Sequence, residues 1–240
     1  EDDHCRFGMD IVERGVIWSC GRGTPHQPGE KWRSGVSLST DEGRSWENVS
    51  PIEGVGNLHP RGLGKGAAWG GHISFLDDQT GWVASKYTFL AATSNGGQSW
   101  SVLPLPENIP NIAAIHLRTP DEGYLLDYAG NLHTTRDAGQ SWTSQELIRA
   151  KGMEMLTVSA MCDTAAIRFA DKNNGLVATS ILGDGGSECV IMRTSDGGRT
   201  WQKETLPVKI ALTYYISRDC TLITVIDFYR AESIVVLKYA

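Results

Sequence analysis

The eight residues TSDGGRTW at positions 194–201 decide the fold, because the chain contains three further copies of the same pattern. The copies read STDEGRSW at 39–46, TSNGGQSW at 93–100 and TRDAGQSW at 135–142. All four fit one template: Ser/Thr, any residue, Asp/Asn, any residue, Gly, any residue, Ser/Thr, Trp. Four matches in one chain of 240 residues indicate a structural unit that occurs four times.

A second, weaker motif precedes three of these boxes. It reads ISFLDDQTGWVAS at 73–85, IHLRTPDEGYLLD at 115–127 and IRFADKNNGLVAT at 167–179, and residues 5–19 give a looser version. Each copy is an alternating strand, a polar turn, a glycine and a second apolar strand. Each repeat therefore reads as four short strands, with the box as the turn between the third and the fourth.

Repeats of four short strands, without helical periodicity, predict an all-β fold of small antiparallel sheets arranged radially. We predict one β-propeller domain, residues 1–240, with five blades and with boxes in four of them. The predicted blades span about residues 4–51, 72–105, 112–147, 164–207 and 211–240. The last segment has strand-like runs but no box, so its sheet has either three strands or a fourth strand from residues outside this chain.

The box residues are predicted to be structural. The Asp or Asn accepts hydrogen bonds from turn amides, the Gly permits a positive φ, and the Trp is expected to be largely buried against the blade. The residues concerned are Asp41, Gly43, Trp46, Asn95, Gly97, Trp100, Asp137, Gly139, Trp142, Asp196, Gly198 and Trp201.

The box template resembles the Asp-box, or BNR repeat, of sialidases and other β-propellers. The strand pair that precedes it is similar to that of photosystem II assembly factors of the YCF48/HCF136 type. The resemblance covers about residues 5–207. It implies a propeller whose boxes lie away from the binding face, and it does not specify a function.

Charge and hydropathy limit the possible partners. With 22 basic and 28 acidic residues, the net charge is −6, so the chain lacks the basic surface that nucleic acids require. The sequence contains no run of about 18 apolar residues that could span a membrane, and the first residues, EDDHC, are too polar for a signal peptide. The sequence predicts no nucleic-acid partner and no membrane span.

Five cysteines are more than a cytosolic binding domain of this size requires, and none forms a CxxC pair, so we expect no zinc site. We predict disulfides between Cys5 and Cys20 and between Cys162 and Cys189, with Cys220 unpaired at the opposite face. Such pairing predicts a secreted or periplasmic protein whose targeting segment has been removed.

The predicted binding face carries the long connections, opposite the boxes. Two of them, residues 22–35 and 52–72, form a basic and aromatic cluster suited to carboxylates, a C-terminal tail or a sugar. Its members are His26, Lys31, Trp32, Arg33, His59, Arg61, Lys65 and Trp69. The alternative is a glycine-rich solvated loop whose Trp residues cover the end of a blade. His59 and His72 lack a third metal ligand, and no phosphate-loop pattern occurs, so we predict no metal and no cofactor.

These features favour a non-enzymatic interaction propeller with a protein partner, either an assembly client or a toxin-type partner. The alternative is a glycan-binding protein or a sialidase-like glycoside hydrolase. Against hydrolysis, the Arg-Ile-Pro motif of sialidases is absent, and the sequence identifies no Tyr–Glu pair and no Ser–His–Asp set. The paired carboxylates Asp77–Asp78 and Asp121–Glu122 lie in predicted turns, so no catalytic residue is predicted.

Overall fold

The computed structural model describes residues 5–13, 15–22, 34–49, 71–85, 89–109, 111–148, 154–155, 165–183, 186–206, 211–227 and 234–238. All regular structure in these residues is β, in five antiparallel sheets that follow one another along the chain. The predicted all-β propeller with five blades is confirmed.

Each blade is one sheet, whose first strand lies next to the propeller axis. Blade 1 comprises β1 (Cys5–Glu13), β2 (Val16–Arg22), β3 (Ser34–Ser39) and β4 (Glu47–Val49). Blade 2 comprises β5 (Gly71–Phe75), β6 (Gly81–Ser85), β7 (Phe89–Thr93) and β8 (Ser101–Val102). Blade 3 comprises β9 (Ile112–Leu117), β10 (Gly123–Asp127), β11 (Asn131–Thr135) and β12 (Thr143–Glu146).

The last two blades depart from four strands. Blade 4 has five: β13 (Glu154–Met155), β14 (Ala165–Phe169), β15 (Gly175–Gly183), β16 (Gly186–Thr194) and β17 (Gln202–Thr205), with both β13 and β14 paired to β15. Blade 5 has three in the described residues: β18 (Ala211–Ile216), β19 (Leu222–Asp227) and β20 (Ile234–Lys238).

The core consists of apolar layers between successive blades. Alternate residues of each strand face opposite sides of the sheet, so each blade contributes to the layers on both sides. Between blades 1 and 2, for example, the ring of Trp18 stacks on Phe75 with centroids 3.9 Å apart. Similar buried clusters join blades 2 and 3, blades 3 and 4, and blades 4 and 5.

The four box turns share one set of hydrogen bonds. In blade 3, Asp137 Oδ1 accepts from Ser141 N at 2.9 Å, and Thr135 Oγ1 accepts from Gly139 N at 2.9 Å. The box glycines have φ between 77° and 84°, a region that side chains disfavour. In blade 2, Asn95 replaces the Asp, and its Oδ1 accepts from Ser99 N at 3.0 Å.

The box tryptophans are less deeply buried than the core aromatics. Trp46, Trp100, Trp142 and Trp201 are all only partly buried. Trp100, Trp142 and Trp201 each pack at the edge of a cluster, because the box turn lies at one end of the blade and not between two sheets. The fully buried large aromatics are instead Trp18, Trp82, Tyr124 and Phe75, on the inner and second strands.

Gly123, in the second motif, has a different role from the box glycines. A Cβ at this position would lie 2.2 Å from Cη2 of Trp82 in the neighbouring blade. The glycine therefore lets the edge of β10 approach a buried indole ring.

The Asp137→Asn variant should keep its turn at neutral pH, because Asn95 already supports the same turn in blade 2. Hydrogen bonds from the side chain and backbone of Ser141 lower the pKa of Asp137 to about 2. A carboxyl whose pKa is lowered on folding stabilises the native state above about pH 4, and this contribution is lost as the pH falls toward 2. Urea titrations at pH 7 and pH 3 should show a smaller acid-induced loss in the variant than in the wild type. Equal losses in the two proteins would contradict this assignment.

Candidate binding site

The two ends of the propeller differ in the length of their connections. At the end that carries the boxes, the connections are short, as in residues 76–80, 118–122, 170–174 and 217–221. At the other end, strand ends are joined across residues 23–33, 50–70 and 156–164. The strand directions therefore place the long connections at the end opposite the boxes, as the sequence predicted.

The predicted binding residues on these connections lie outside the described residues. This holds for all eight members of the cluster: His26, Lys31, Trp32, Arg33, His59, Arg61, Lys65 and Trp69. Their role as a binding surface stays a prediction.

His72, by contrast, is described and starts β5. Its Nε2 lies 3.2 Å from the carbonyl oxygen of Ile112 in blade 3, so the side chain links two inner strands. This contact gives the histidine a structural role.

A narrow cavity lies on the axis, bounded by the inner strands of all five blades. Its volume is about 90 Å³, and its polar lining side chains include His72, Arg168 and Tyr215. Pockets that take a drug-sized ligand or a sugar unit measure about 300–1,000 Å³. The described part of this cavity is therefore smaller than such a pocket.

Asp10 of blade 1 faces residues of three other blades at the box end of this cavity. Its side chain is 2% exposed, and its Oδ2 accepts from Phe75 N of blade 2 at 2.8 Å. The Arg168 guanidinium of blade 4 donates to Asp10 Oδ1 at 3.1 Å, and Arg218 of blade 5 lies 3.8 Å away. One buried carboxylate thus faces two guanidinium groups.

Arg218 also donates to two carbonyl oxygens. Its Nε binds Ile11 O at 2.9 Å, and one terminal nitrogen binds Phe75 O at 2.9 Å. The first turn of blade 5 is therefore tied to blades 1 and 2 near the axis. We refer to Asp10, Arg168 and Arg218 as the axial clamp.

Between the other blades, the same end of the axis carries further polar contacts. Ser74 Oγ accepts from Leu117 N at 3.0 Å, and His116 Nε2 lies 3.3 Å from Phe169 O. Burial, together with the positive charge of Arg168, lowers the pKa of His116 well below its usual range. The imidazole is therefore neutral, and its Nε2–H donates to the carbonyl.

A Tyr–Glu pair exists, so the sequence-based expectation that none can be identified is wrong. Tyr124 Oη donates to Glu122 at 2.5 Å, and Arg118 forms an ion pair with the same carboxylate. Burial and the neighbouring Glu122 raise the pKa of Tyr124, which is the reverse of what a nucleophile requires. The tyrosine ring is also 2% exposed and stacks on Phe169, so the pair is structural.

A Ser–His–Asp set, which the sequence did not locate, is also present. His133 Nδ1 lies 2.7 Å from Ser144 Oγ, and His133 Nε2 lies 3.1 Å from Asp127 Oδ2. Asp127 also accepts from the backbone and side-chain nitrogens of Asn131, at 2.8 and 3.0 Å, and so braces the turn between β10 and β11. Burial alone would raise the pKa of Asp127, but hydrogen bonds from His133 and Asn131 hold it below its usual value. We interpret the set as a turn-bracing network.

The two predicted disulfides involve Cys5, Cys20, Cys162 and Cys189. Cys162 lies outside the described residues, and the register of β1 and β2 places Cys20 opposite Gly8 and Cys5 opposite Arg22. Both disulfides therefore stay predictions. Cys220 lies in the turn before β19, at the box end, and its thiol lies 3.5 Å from Arg168 O. Burial raises the pKa of this thiol to about 11.

In the described residues, no three His, Cys, Asp or Glu side chains come together as a metal-ion site. The same part of the chain contains no helix that is long and apolar enough to cross a membrane.

Residues 71–153 match the family model described as photosynthesis system II assembly factor YCF48. This segment covers β5 to β12, which form blades 2 and 3, with two of the four boxes. Together with the five sheets, the match confirms the resemblance that the sequence motifs indicated. The chain is a β-propeller, and its blades 2 and 3 are similar to this family. None of the curated protein sequences matches it significantly.

Solved structures resemble this chain in fold. A protein of unknown function from Dyadobacter fermentans has 15% identity and a TM-score of 0.59, over 94% of this chain and 75% of its own. An α-L-arabinanase from Penicillium chrysogenum, complexed with arabinobiose, has 11% identity and a TM-score of 0.55, over 97% and 77%. A YCF48 bound to a D1 peptide has 14% identity over 93% and 90%, with a TM-score of only 0.48. At these identities the similarities establish the fold alone.

Proposed function

We propose that this propeller is a non-enzymatic interaction protein that binds a protein partner through the end carrying the long connections. One observation supports this most directly: the connections at the box end are uniformly short, whereas strand ends at the other end are joined across residues 23–33 and 50–70. Long connections on a rigid scaffold are where binding residues concentrate. The family match over blades 2 and 3, to an assembly factor, is consistent with a protein client.

The described geometry does not favour hydrolysis. The axial cavity is small, the Tyr124–Glu122 pair is buried, and the Ser144–His133–Asp127 set braces a turn. We also propose a secreted or periplasmic location, on the strength of the five cysteines, and a toxin-type partner remains an alternative to an assembly client.

We expect Trp32→Ala and Trp69→Ala to weaken partner binding at least about tenfold, because aromatic anchors at interfaces typically cost 2 kcal/mol or more when truncated. The partner is first captured from the native host with the whole chain, identified and purified. Binding is then measured by calorimetry, and each variant's melting temperature should stay close to that of the wild type.

The matched controls are Asp78→Lys and Asp121→Lys, at exposed positions of the box end. These charge reversals should leave both binding and melting temperature nearly unchanged. If they abolished binding while the tryptophan variants did not, the proposed binding end would be wrong. Sugar release from a glycan panel by repurified protein would replace the interaction proposal with the hydrolase alternative.

A further inference from the structure

The seam between blades 5 and 1 differs from the other four junctions. Apolar clusters join blades 1 to 2, 2 to 3, 3 to 4 and 4 to 5, but the described residues form no such cluster between blades 5 and 1. Large hydrophobic side chains are instead exposed there. Six are exposed in the described residues, and five of them lie on blades 1 and 5: Met9, Ile11, Tyr215, Leu222 and Val236.

Strand alternation places all five on the two surfaces that face each other across the seam. On β1, Val12 packs toward blade 2, so Met9 and Ile11 point the other way. On β18, Tyr214 and Ile216 pack toward blade 4, so Tyr215 points toward blade 1. The axial clamp closes the seam near the axis at the box end. The rest of it is an apolar cleft with Met9 58% and Val236 59% exposed.

The outer edge of blade 5 is also incomplete. In the described residues, β20 ends a three-stranded sheet, whereas each of the other blades carries an outer strand: β4, β8, β12 or β17. β20 pairs with β19 over five residues without a bulge, so its free edge is regular. An unpaired, regular and mostly apolar edge is a template for another strand.

The register explains why a box hairpin does not complete this blade. In blades 2 to 4, a threonine pairs with the first residue of the second strand, as Thr135 pairs with Gly123, and its hydroxyl accepts from the box glycine. In blade 5, the second-strand residue that pairs with the end of the first strand, as Gly123 pairs with Leu117, is Ile223, and its partner on β20 is Leu237. The leucine side chain has no atom that could accept that hydrogen bond. The turn that delivers a fourth strand in the other blades is therefore not encoded here.

The charge at the end of β20 indicates which residue type an added strand would favourably place there. Lys238 is exposed at the end of β20, and Arg218 is 39% exposed in the neighbouring turn. Asp219, the acidic group of that turn, already accepts hydrogen bonds from Ser217 and Thr221. Asp219 keeps its negative charge, and Arg218 lies toward the axis beside Asp10, so the cation next to an added strand is Lys238. An acidic residue of that strand would suit its ammonium group.

We propose that an extended segment of the protein partner binds along the free edge of β20 as the missing outer strand of blade 5. Its backbone pairs with β20, its apolar side chains pack beside Val236, and an acidic residue lies by Lys238. Strand addition of this kind draws affinity from backbone hydrogen bonds and specificity from alternate side chains. This inference rests on the proposed protein-binding function and adds a site to it.

The test uses the whole chain and three short fluorescein-labelled peptides. The first alternates valine and threonine and ends in two glutamates, the second ends in two lysines, and the third has proline at every second position. We expect saturable binding of the glutamate peptide, at least about tenfold weaker binding of the lysine peptide, and none of the proline peptide, which cannot form a strand. Amide hydrogen exchange of residues 234–238 should slow when the glutamate peptide is bound.

The decisive variant is Val236→Lys, with Val236→Thr as a milder form that keeps β propensity should the first fail to fold. The matched control is Val102→Lys, because Val102 is 58% exposed on the outer strand of blade 2, away from the cleft. Both Val236 variants should bind the glutamate peptide more weakly than the wild type does, by at least about tenfold for the lysine variant. The control should bind it as the wild type does.

Three outcomes would overturn the site. The first is equal binding of the proline peptide, and the second is unchanged binding of the glutamate peptide by both Val236 variants. The third is a wild-type dimer that Val236→Lys turns into a monomer, while the glutamate peptide fails to bind. The last result would assign the edge to a second copy of the chain. If the purified partner still bound Val236→Lys with wild-type affinity but lost Trp32→Ala, the site would fail while the proposed function stood.

Discussion

The Asp10→Asn variant is expected to unfold about 3–5 kcal/mol more easily than the wild type, which is the range for removing one partner of a buried ion pair. The carboxylate is 2% exposed, and its partner Arg168 is 16% exposed, so little water can replace the lost charge. Arg218, at 3.8 Å and 39% exposed, should contribute little to this loss, because solvent screens it. Urea unfolding followed by fluorescence measures the difference.

The variants around Asp10 separate charge from hydrogen bonding. Asp10→Ala also leaves the buried Phe75 amide without its acceptor and should cost about 1–3 kcal/mol more. In a double-mutant cycle, adding Arg168→Met to Asp10→Asn should recover part of the loss, because it removes the unpaired charge. The exposed control Asp78→Asn should change stability by less than about 0.5 kcal/mol. A loss below about 1 kcal/mol for Asp10→Asn would show that the axial clamp does not hold the ring.

Trp18→Ala should cost about 3–5 kcal/mol, as truncation of a large buried aromatic does. The indole is 0% exposed and lies nearly parallel to Phe75, with 9° between the ring planes, at the layer between blades 1 and 2. Its Nε1 also donates to Asp77 O at 3.3 Å. The change therefore removes a stacking partner and opens a cavity between two blades.

Two comparisons make the Trp18 result specific. Trp18→Phe keeps a ring against Phe75 and should retain most of the stability. Trp142→Ala removes an equally large side chain that is only partly buried, so its loss should be clearly smaller than that of Trp18→Ala. If Trp142→Ala cost as much as Trp18→Ala, the box tryptophans would contribute more to the core than their burial indicates.

The sequence predicted the blades because their signals are local. A box such as residues 135–142 specifies its turn through contacts within eight residues, so the pattern alone locates the hairpin. The depth of Trp142 depends on Trp82 and Pro104 in another blade, and no local pattern contains that information.

The contacts between blades were beyond the sequence patterns for the same reason. Asp10 is separated from Arg168 by 158 residues, and only the closed ring brings them together. A partial signal existed, since Asp10 occupies a core position of β1, between the inward-facing Gly8 and Val12. A charged residue at such a position requires a partner. Similarly, Leu237 in place of a box threonine could be recognised only after the register of β20 was known.

Oxidation of methionines by dilute peroxide in the purified native chain tests the open seam most directly. Met9 is 58% exposed on the face of β1 that points toward blade 5, whereas Met192 is 7% exposed between blades 3 and 4. Susceptibility to oxidation follows exposure, so mass spectrometry of peptides sampled over time should show Met9 oxidised at least about ten times faster than Met192. If Met9 were as slow as Met192, blade 5 would be packed against blade 1, and the open seam beside the proposed strand site would not exist.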